Sequence, residues 1–534
     1  MMNKTGGLLC AAVAVLALGG CGHDSPTSAV ATTDQRGTLI NDPALRVASL
    51  SATAFAGQLS ATASGAALLS LAGTPVCGVD FYYFKYWTVG PDNSPQRASG
   101  ALMVPTGSAA PCTGPRPIVL YAHGTATSST YNIADISDTS NAANTESAMV
   151  AAVFAAQGDI VVAPNYLGYD ISTLGYHPYV DGAENAIVMM DALTAARKAL
   201  LSTFTPTTSD DGKLYVTGYS EGGYVAMATV KAMQAAGDTV TASAPSSGPY
   251  ALEAFGDALF FGQVDIGSTV FAPMVRTSYQ NAYGNLHSTS AEVFSSTYAT
   301  GIDTLLPSPI PLTTLFQQGK LPETALFNST TPTSSTGITA VDTLADALLA
   351  VPSTPKYTAA EVALFSTGFG NPYLINNSYR VEYVDDAVVN PDQAEMALIE
   401  FPTTPLTSSD VALAASPAVG MRQDLKLNDM RNGGWAPRNP MLLCGGAQDP
   451  TVYFQNTEIM AAEWSAYVSG GLVSVLDLNA APPSGPYAAL QGAFQATYAG
   501  LVSAEGQSAA IAAYHSTEAP FCMEAARLFF ANVP

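Results

Sequence analysis

Gly218-Tyr219-Ser220-Glu221-Gly222 is the segment that most constrains how this chain can fold. It follows Lys213-Leu214-Tyr215-Val216-Thr217, a run suited to a strand, and opens an alanine-rich, helical stretch from Tyr224 to Ala236. Passing from strand to helix in so few residues demands a tight, strained turn at the serine, so small residues are needed two positions to either side. Such a turn lifts the hydroxyl to the end of a sheet. It also aims the N-terminus of the following helix at the same point, which favours negative charge there.

The segments around this turn alternate. Asp80 to Gly90 and Arg97 to Val104 read as a hairpin closed by Pro91-Asp92-Asn93-Ser94-Pro95. Strand-like runs follow at Pro117 to Ala122, Asp159 to Ala163 and Thr239 to Ala244. Helical runs lie between them at Glu146 to Gln157, stopped by Gly158, and at Ala183 to Leu201. This pattern predicts an α/β fold with a mostly parallel sheet and helices on both faces. The alternation stops near Tyr250 and resumes with Pro440 to Cys444, a helix over Val452 to Val468, and Leu472 to Leu476. Residues 250–436 are therefore expected to be an insertion with its own, mainly helical structure, since structureless loops of that size are rare in compact domains. Core segments are expected at 46–249 and 437–534.

Hydrophobic residues make up 48% of the 534 and charged ones 11%, so a large core is available. Lys plus Arg number 19 against 42 Asp plus Glu, a formal charge of −23, which argues against a nucleic-acid partner. The N-terminus reads as an export signal over residues 1–20, with Lys4 before the apolar run Leu8 to Leu18. That run is too short to span a bilayer. Leu18-Gly19-Gly20-Cys21 resembles a bacterial lipobox, which makes Cys21 the expected lipidation site and the expected membrane contact; residues 21–45 are expected to form a tether. Cys10 leaves with the signal, so four cysteines remain for disulfides in an oxidising compartment. Locality favours Cys77 with Cys112 and Cys444 with Cys522.

A serine hydroxyl becomes a nucleophile when a base takes its proton. His287 and His515 are the histidines after Ser220. His515, in Tyr514-His515-Ser516-Thr517-Glu518, is expected in a loop before a final helix from Ala519 to Asn532, and is the chosen base. Asp449, after the strand and glycine turn Leu442 to Gln448, is the chosen acid, with Asp477 as runner-up. The oxyanion donors are expected to be the N–H groups of Glu221 and of Thr125, in preference to Gly124. His123, Tyr166, Tyr169 and His177 read as packing residues, and the Glu221 carboxylate as a cap or a solvated group. The histidines are scattered and the cysteines form no CxxC pairs, so no metal site is expected; nor is a cofactor.

Tyr121-Ala122-His123-Gly124-Thr125, Ala163-Pro164-Asn165-Tyr166-Leu167-Gly168-Tyr169, His177-Pro178-Tyr179, the elbow, Cys444 to Pro450 and Tyr514 to Cys522 together resemble the secretory lipase family of α/β-hydrolases, which includes the fungal lipase A type and bacterial extracytoplasmic relatives. The resemblance implies a triad of Ser220, Asp449 and His515, a cap between elbow and acid, and activity on carboxylic esters without a cofactor. The chain departs from the fungal members in its long insertion and in Glu221, where glutamine is common. The rival readings are a serine peptidase of the same fold, with Asp385, Asp386 or Asp392 holding an ammonium group, and a non-catalytic surface-binding lipoprotein. The expected partner is an ester with an apolar acyl group, which Ala251 to Phe261 would wall through Leu252, Phe255, Leu259 and Phe260.

Overall fold

The computed structural model of the protein describes residues 35–203, 207–353, 358–395, 397, 405–468 and 470–533. Cys21 and the signal segment lie outside the described residues. A nine-stranded sheet forms the centre, in the order β1-β2-β3-β5-β4-β6-β7-β10-β11. Its first three strands are β1 (Leu45–Leu50), β2 (Gly78–Val89) and β3 (Pro95–Thr106), paired antiparallel, and β3 also meets β5 (Ile160–Pro164) antiparallel. From β5 onward every pair is parallel, through β4 (Gly114–Ala122), β6 (Thr208–Tyr219), β7 (Ala242–Ser246), β10 (Met441–Gly445) and β11 (Val473–Asp477). All five residues of β5, β7 and β10 are buried, as strands covered on both faces must be.

The crossovers are helical. They include α3 (Asn144–Val153), α4 (Gly182–Thr203) and α5 (Glu221–Ala236), whereas α1 (Ala52–Ser60) and α2 (Ala63–Ala72) join the antiparallel neighbours β1 and β2. The closing helices, Ala488–Glu505 and Gln507–Ala531, pack on each other, and the second of them packs on β6, β7 and β10. Two disulfides, Cys77–Cys112 and Cys444–Cys522, tie the hairpin to the start of β4 and β10 to the last helix. They suit a chain that folds outside the cytoplasm. Among the described residues no helix is long and apolar enough to cross a membrane.

The chain between β7 and β10 is mainly helical. It begins with α6 (Leu252–Phe260) and α7 (Ser268–Ala282) and adds helices at Thr339–Leu349, Ala359–Ser366, Asn377–Val389 and Gly420–Asn428. A two-stranded ladder of two-residue strands, β8 (Phe327–Asn328) and β9 (Phe369–Gly370), sits among them. Buried ion pairs knit this region: Arg422 bonds Asp257 at 2.7 and 2.9 Å and Asp386 at 3.0 Å, and Arg431 bonds Asp392 and Asp429.

Two expectations about boundaries change. Residues 35–45 are not a tether: Arg36 bonds Asp191 of α4 at 3.0 Å, and the N–H groups of Gly37 and Ile40 bond carbonyls of β2. Nor does the chain loop at His515. The alanine-rich start of Gln507–Ala531 favours helix, and Ala510, Tyr514, Glu518, Phe521 and Cys522 form one buried stripe at helical spacing, so the helix runs straight through the histidine.

Candidate active site

Ser220 stands at φ +61° and ψ −127°, a strained conformation for a residue with a side chain. Its neighbours explain how the strain is held. A Cβ on Gly218 would lie 2.3 Å from the Gly222 carbonyl oxygen, and one on Gly222 would lie 2.1 Å from the Ala122 oxygen. The glycines are therefore obligatory where β6, the turn and β4 meet. The Ser220 N–H donates to the Ser246 carbonyl of β7 at 3.0 Å, which pins the turn to the next strand.

Asp449 lies after β10, with 4% of its surface exposed. Its Oδ1 accepts the N–H groups of Thr451 at 2.9 Å and Val452 at 3.2 Å, and its Oδ2 lies 2.6 Å from His515 Nδ1. Asp477 braces the same loop instead of meeting the histidine: its Oδ1 accepts the N–H of Ala447 at 2.9 Å and that of Asn479 at 2.8 Å. Tyr219, the residue before the serine, sets its ring 4.8 Å from that of His515 at a tilt of 40° and donates its hydroxyl to the His515 carbonyl at 2.6 Å. That brings the histidine to the elbow and leaves His515 Nε2 buried with no partner among the described residues.

The loop after β4 packs against the other side of the turn. A Cβ on Gly124 would sit 3.8 Å from Ser220 Cβ. The Gly124 N–H is already spent on Glu146 Oε1 at 3.0 Å, whereas the Thr125 N–H has no acceptor among the described residues. Thr125 Oγ1 is itself held by Tyr179 Oη at 2.9 Å. Glu146 was not singled out in the sequence. It anchors the loop by also accepting the hydroxyls of Tyr121 and Tyr131 at 2.7 and 2.8 Å. Only a carboxylate one turn into a helix hinted at it.

Glu221 corrects an expectation. Its carboxylate neither caps a helix nor faces water: the residue is 1% exposed and its Oε1 lies 2.5 Å from His177 Nε2. His177 Nδ1 lies 2.9 Å from the Leu167 carbonyl, so both ring nitrogens are engaged. His123 is stacked between Tyr131 and Tyr166, and burial lowers its pKa, which keeps it neutral. His287 lies in the insertion beside Arg276 Nη2, where burial and then that cation hold it down at about 4.

A cavity of about 120 Å³ opens on Ser220 and Glu221. Its wall is almost wholly apolar and comes mostly from the insertion, with Leu252, Phe255, Leu259 and Phe260 of α6 and Phe271 and Val275 of α7, joined by Tyr179, Val180 and Val452 of the core. Asp265 also lines it; burial, then the Asp449 charge, raises its carboxyl well above the ordinary range. No group of metal-ligand type was found among the described residues. Of the acidic residues that could hold an ammonium group, Asp386 and Asp392 are consumed by Arg422 and Arg431.

No protein-family model and no curated protein matches the chain. Solved structures do. A ligand-bound form of the rice cell wall degrading esterase LipA from Xanthomonas oryzae is 26% identical, with a TM-score of 0.59 over 83% of this chain and 91% of that one. A second structure of that esterase covers 93% of this chain and 99% of its own, with a TM-score of 0.63 at 23% identity. The fold is that of an α/β-hydrolase. A putative hydrolase from Legionella pneumophila shares it, with a TM-score of 0.58 at 19% identity over 93% of this chain and 98% of its own. An α/β-hydrolase places its reactive groups at the carboxyl ends of the parallel strands. Here Ser220 follows β6 and Asp449 follows β10, so both lie at that end.

Proposed function

We propose that the protein is a serine carboxylic ester hydrolase working through Ser220, His515 and Asp449. The observation that carries this is the Asp449–His515 pair with a free Nε2, set beside Tyr219 at a strained serine under an apolar cavity. His515 Nε2 takes the Ser220 proton as the hydroxyl attacks the ester carbonyl. Asp449 holds the Nδ1–H tautomer and stabilises the imidazolium that forms. The N–H groups of Glu221, the first residue of α5, and of Thr125 receive the oxyanion. The alkoxide leaves with the proton from His515, and water, activated by the same nitrogen, releases the acid from the acyl-enzyme. The acyl chain occupies the cavity, and α6 and α7 keep water from it. No cofactor or metal is required for these steps.

The similarity to an esterase at 26% identity supports the ester over the amide, as does the engagement of Asp386 and Asp392. The two disulfides support work outside the cytoplasm, where Cys21 would carry the lipid that anchors the chain. A panel of p-nitrophenyl esters beside aminoacyl-p-nitroanilides tests the reading. Turnover is expected on esters with apolar acyl groups. Turnover confined to the anilides, or fluorophosphonate labelling that persists in Ser220→Ala, would overturn it.

A further inference from the structure

Glu518 lies one helical turn beyond His515, with none of its surface exposed. Its Oε1 is 2.5 Å from Ser247 Oγ, and that same Oγ is 3.1 Å from Asp449 Oδ2. A serine hydroxyl carries one hydrogen. Two ionised carboxylates across it would leave one of them unserved and repelled by its neighbour. One of the two acids must therefore keep a proton, and their surroundings decide which. Asp449 accepts two backbone N–H groups, His515 Nδ1–H and Ser247, so four donors converge on its two oxygens. Glu518 has no backbone donors: it meets Ser247 and the Tyr219 hydroxyl, whose own hydrogen goes to the His515 carbonyl, and its Oε2 is buried with no partner among the described residues.

We propose that Glu518 is a positioning residue for the triad, which stays protonated and donates to Ser247 so that Ser247 in turn donates to Asp449. The chain of donors then runs from Glu518 through Ser247 to Asp449 Oδ2, the oxygen that also takes His515 Nδ1–H. This holds Asp449 from the side opposite the histidine without adding a second negative charge. Burial, and next the Asp449 charge, raises the Glu518 carboxyl well above the ordinary range, in accord with the neutral form. The Ser247 and Tyr219 hydroxyls pull the other way, Asp477 adds to the push, and Tyr514 and Tyr250 also face the group. The backbone is fitted to this arrangement: a Cβ on Gly446 would fall 2.1 Å from Tyr514 Oη and 2.6 Å from Glu518 Oε2. The Cys444–Cys522 bridge fastens the helix that carries Glu518 to the strand that precedes Asp449.

The inference rests on the triad reading, and one set of variants separates the two. Ser220→Ala tests the triad itself: retained ester hydrolysis there removes both. With Ser220→Ala inactive, kcat of Glu518→Ala should fall about tenfold at unchanged KM, and the loss should vanish in a Ser247→Ala background, because the two residues act as one unit. Glu518→Gln keeps neutrality and a donor, so its kcat should stay within about threefold and the acid limb of its kcat/KM profile should not move. Infrared difference spectra of wild type minus Glu518→Gln should show one carboxylic-acid C=O band. An acid limb displaced to lower pH in Glu518→Gln would mean that an ionised Glu518 had been supporting the imidazolium, and would overturn the proposal. So would full kcat in Glu518→Ala, or additive losses with Ser247→Ala. If Glu518→Ala fails to fold, the Glu518→Gln profile and spectrum still decide.

Discussion

Two histidine–carboxylate pairs flank the elbow, and they differ in one respect that matters. His515 meets Asp449 at 2.6 Å and keeps Nε2 free; its side chain is 16% exposed. His177 meets Glu221 at 2.5 Å, spends its other nitrogen on Leu167, and has no exposed surface in its side chain. Both pairs are close and both adjoin Ser220 in sequence or space. A general base needs a nitrogen to spare, so the open pair has the means for proton transfer and the sealed pair has the means to hold structure. Glu221 makes the division instructive: its backbone N–H is assigned to the oxyanion while its side chain locks the segment that carries Tyr166 and Tyr179.

The largest effect should come from the open side. Ser220→Ala and His515→Ala are each expected to lower kcat by roughly 10⁴–10⁶-fold with an intact fold, measured by ester turnover and circular dichroism. Comparable loss in His177→Ala, with the protein still folded, would break the distinction between the pairs. On the sealed side the loss should be in stability. Glu221→Ala leaves a buried imidazole unpaired and should cost about 3 kcal/mol in denaturant unfolding. Unchanged stability would make the pair dispensable.

The loop between the two sides offers an intermediate test. Glu146→Gln weakens the acceptor that holds Gly124, Tyr121 and Tyr131, so the oxyanion loop should loosen and kcat should fall by about ten- to a hundredfold with little change in KM. An effect on KM alone would assign Glu146 to binding. A smaller change is expected in the cavity, where Leu252→Trp, Phe255→Trp and Leu259→Trp should shift the preferred acyl length while acetate-ester turnover stays level. An unaltered chain-length profile across all three would exclude α6 as the wall.

The smallest test uses pH to separate activity from stability. Burial, and then Asp181, pushes Glu184 at the start of α4 up to about 8, and burial pushes Asp424 up to about 7. A carboxyl raised on folding binds more protons folded than unfolded between the ordinary carboxylate range and its folded value. Stability therefore falls as pH rises from about 4.5 toward 8. Activity should instead rise on the acid side, because a general base works only in its unprotonated form. The two profiles should run in opposite directions, and Glu184→Gln should flatten the stability curve while leaving the acid limb of activity in place. Parallel profiles would tie the acid limb to folding rather than to the open pair.

Much of this site is written in short segments. The glycines around Ser220 are visible because a turn in which a Cβ on Gly222 would lie 2.1 Å from the Ala122 oxygen admits no side chain, and that demand is local. The strands of the parallel half show as apolar runs for the same kind of reason. The helix Ala488–Glu505 was missed, since its small and polar residues bury few positions and leave only a faint stripe. His515 was expected in a loop because the final helix was placed only from Ala519, whereas Pro520 lies inside a helix that begins at Gln507. In the structure the helix absorbs the proline, and Tyr219 bonds the His515 carbonyl one residue before the acceptor that Pro520 leaves without its usual N–H partner.

By itself the sequence determined the strand–turn–helix at Ser220 and the alternation of strands and helices that makes the mostly parallel sheet, because each follows from residue patterns within one or two elements. Tertiary structure alone decided that Glu221 is sealed by a histidine 44 residues away, that Ser247 meets a glutamate 271 residues away, and that Arg422 closes on Asp257 across 165. A buried polar group must find its partner wherever the packed core brings one, and that choice is made by the folded surfaces around it rather than by any local pattern.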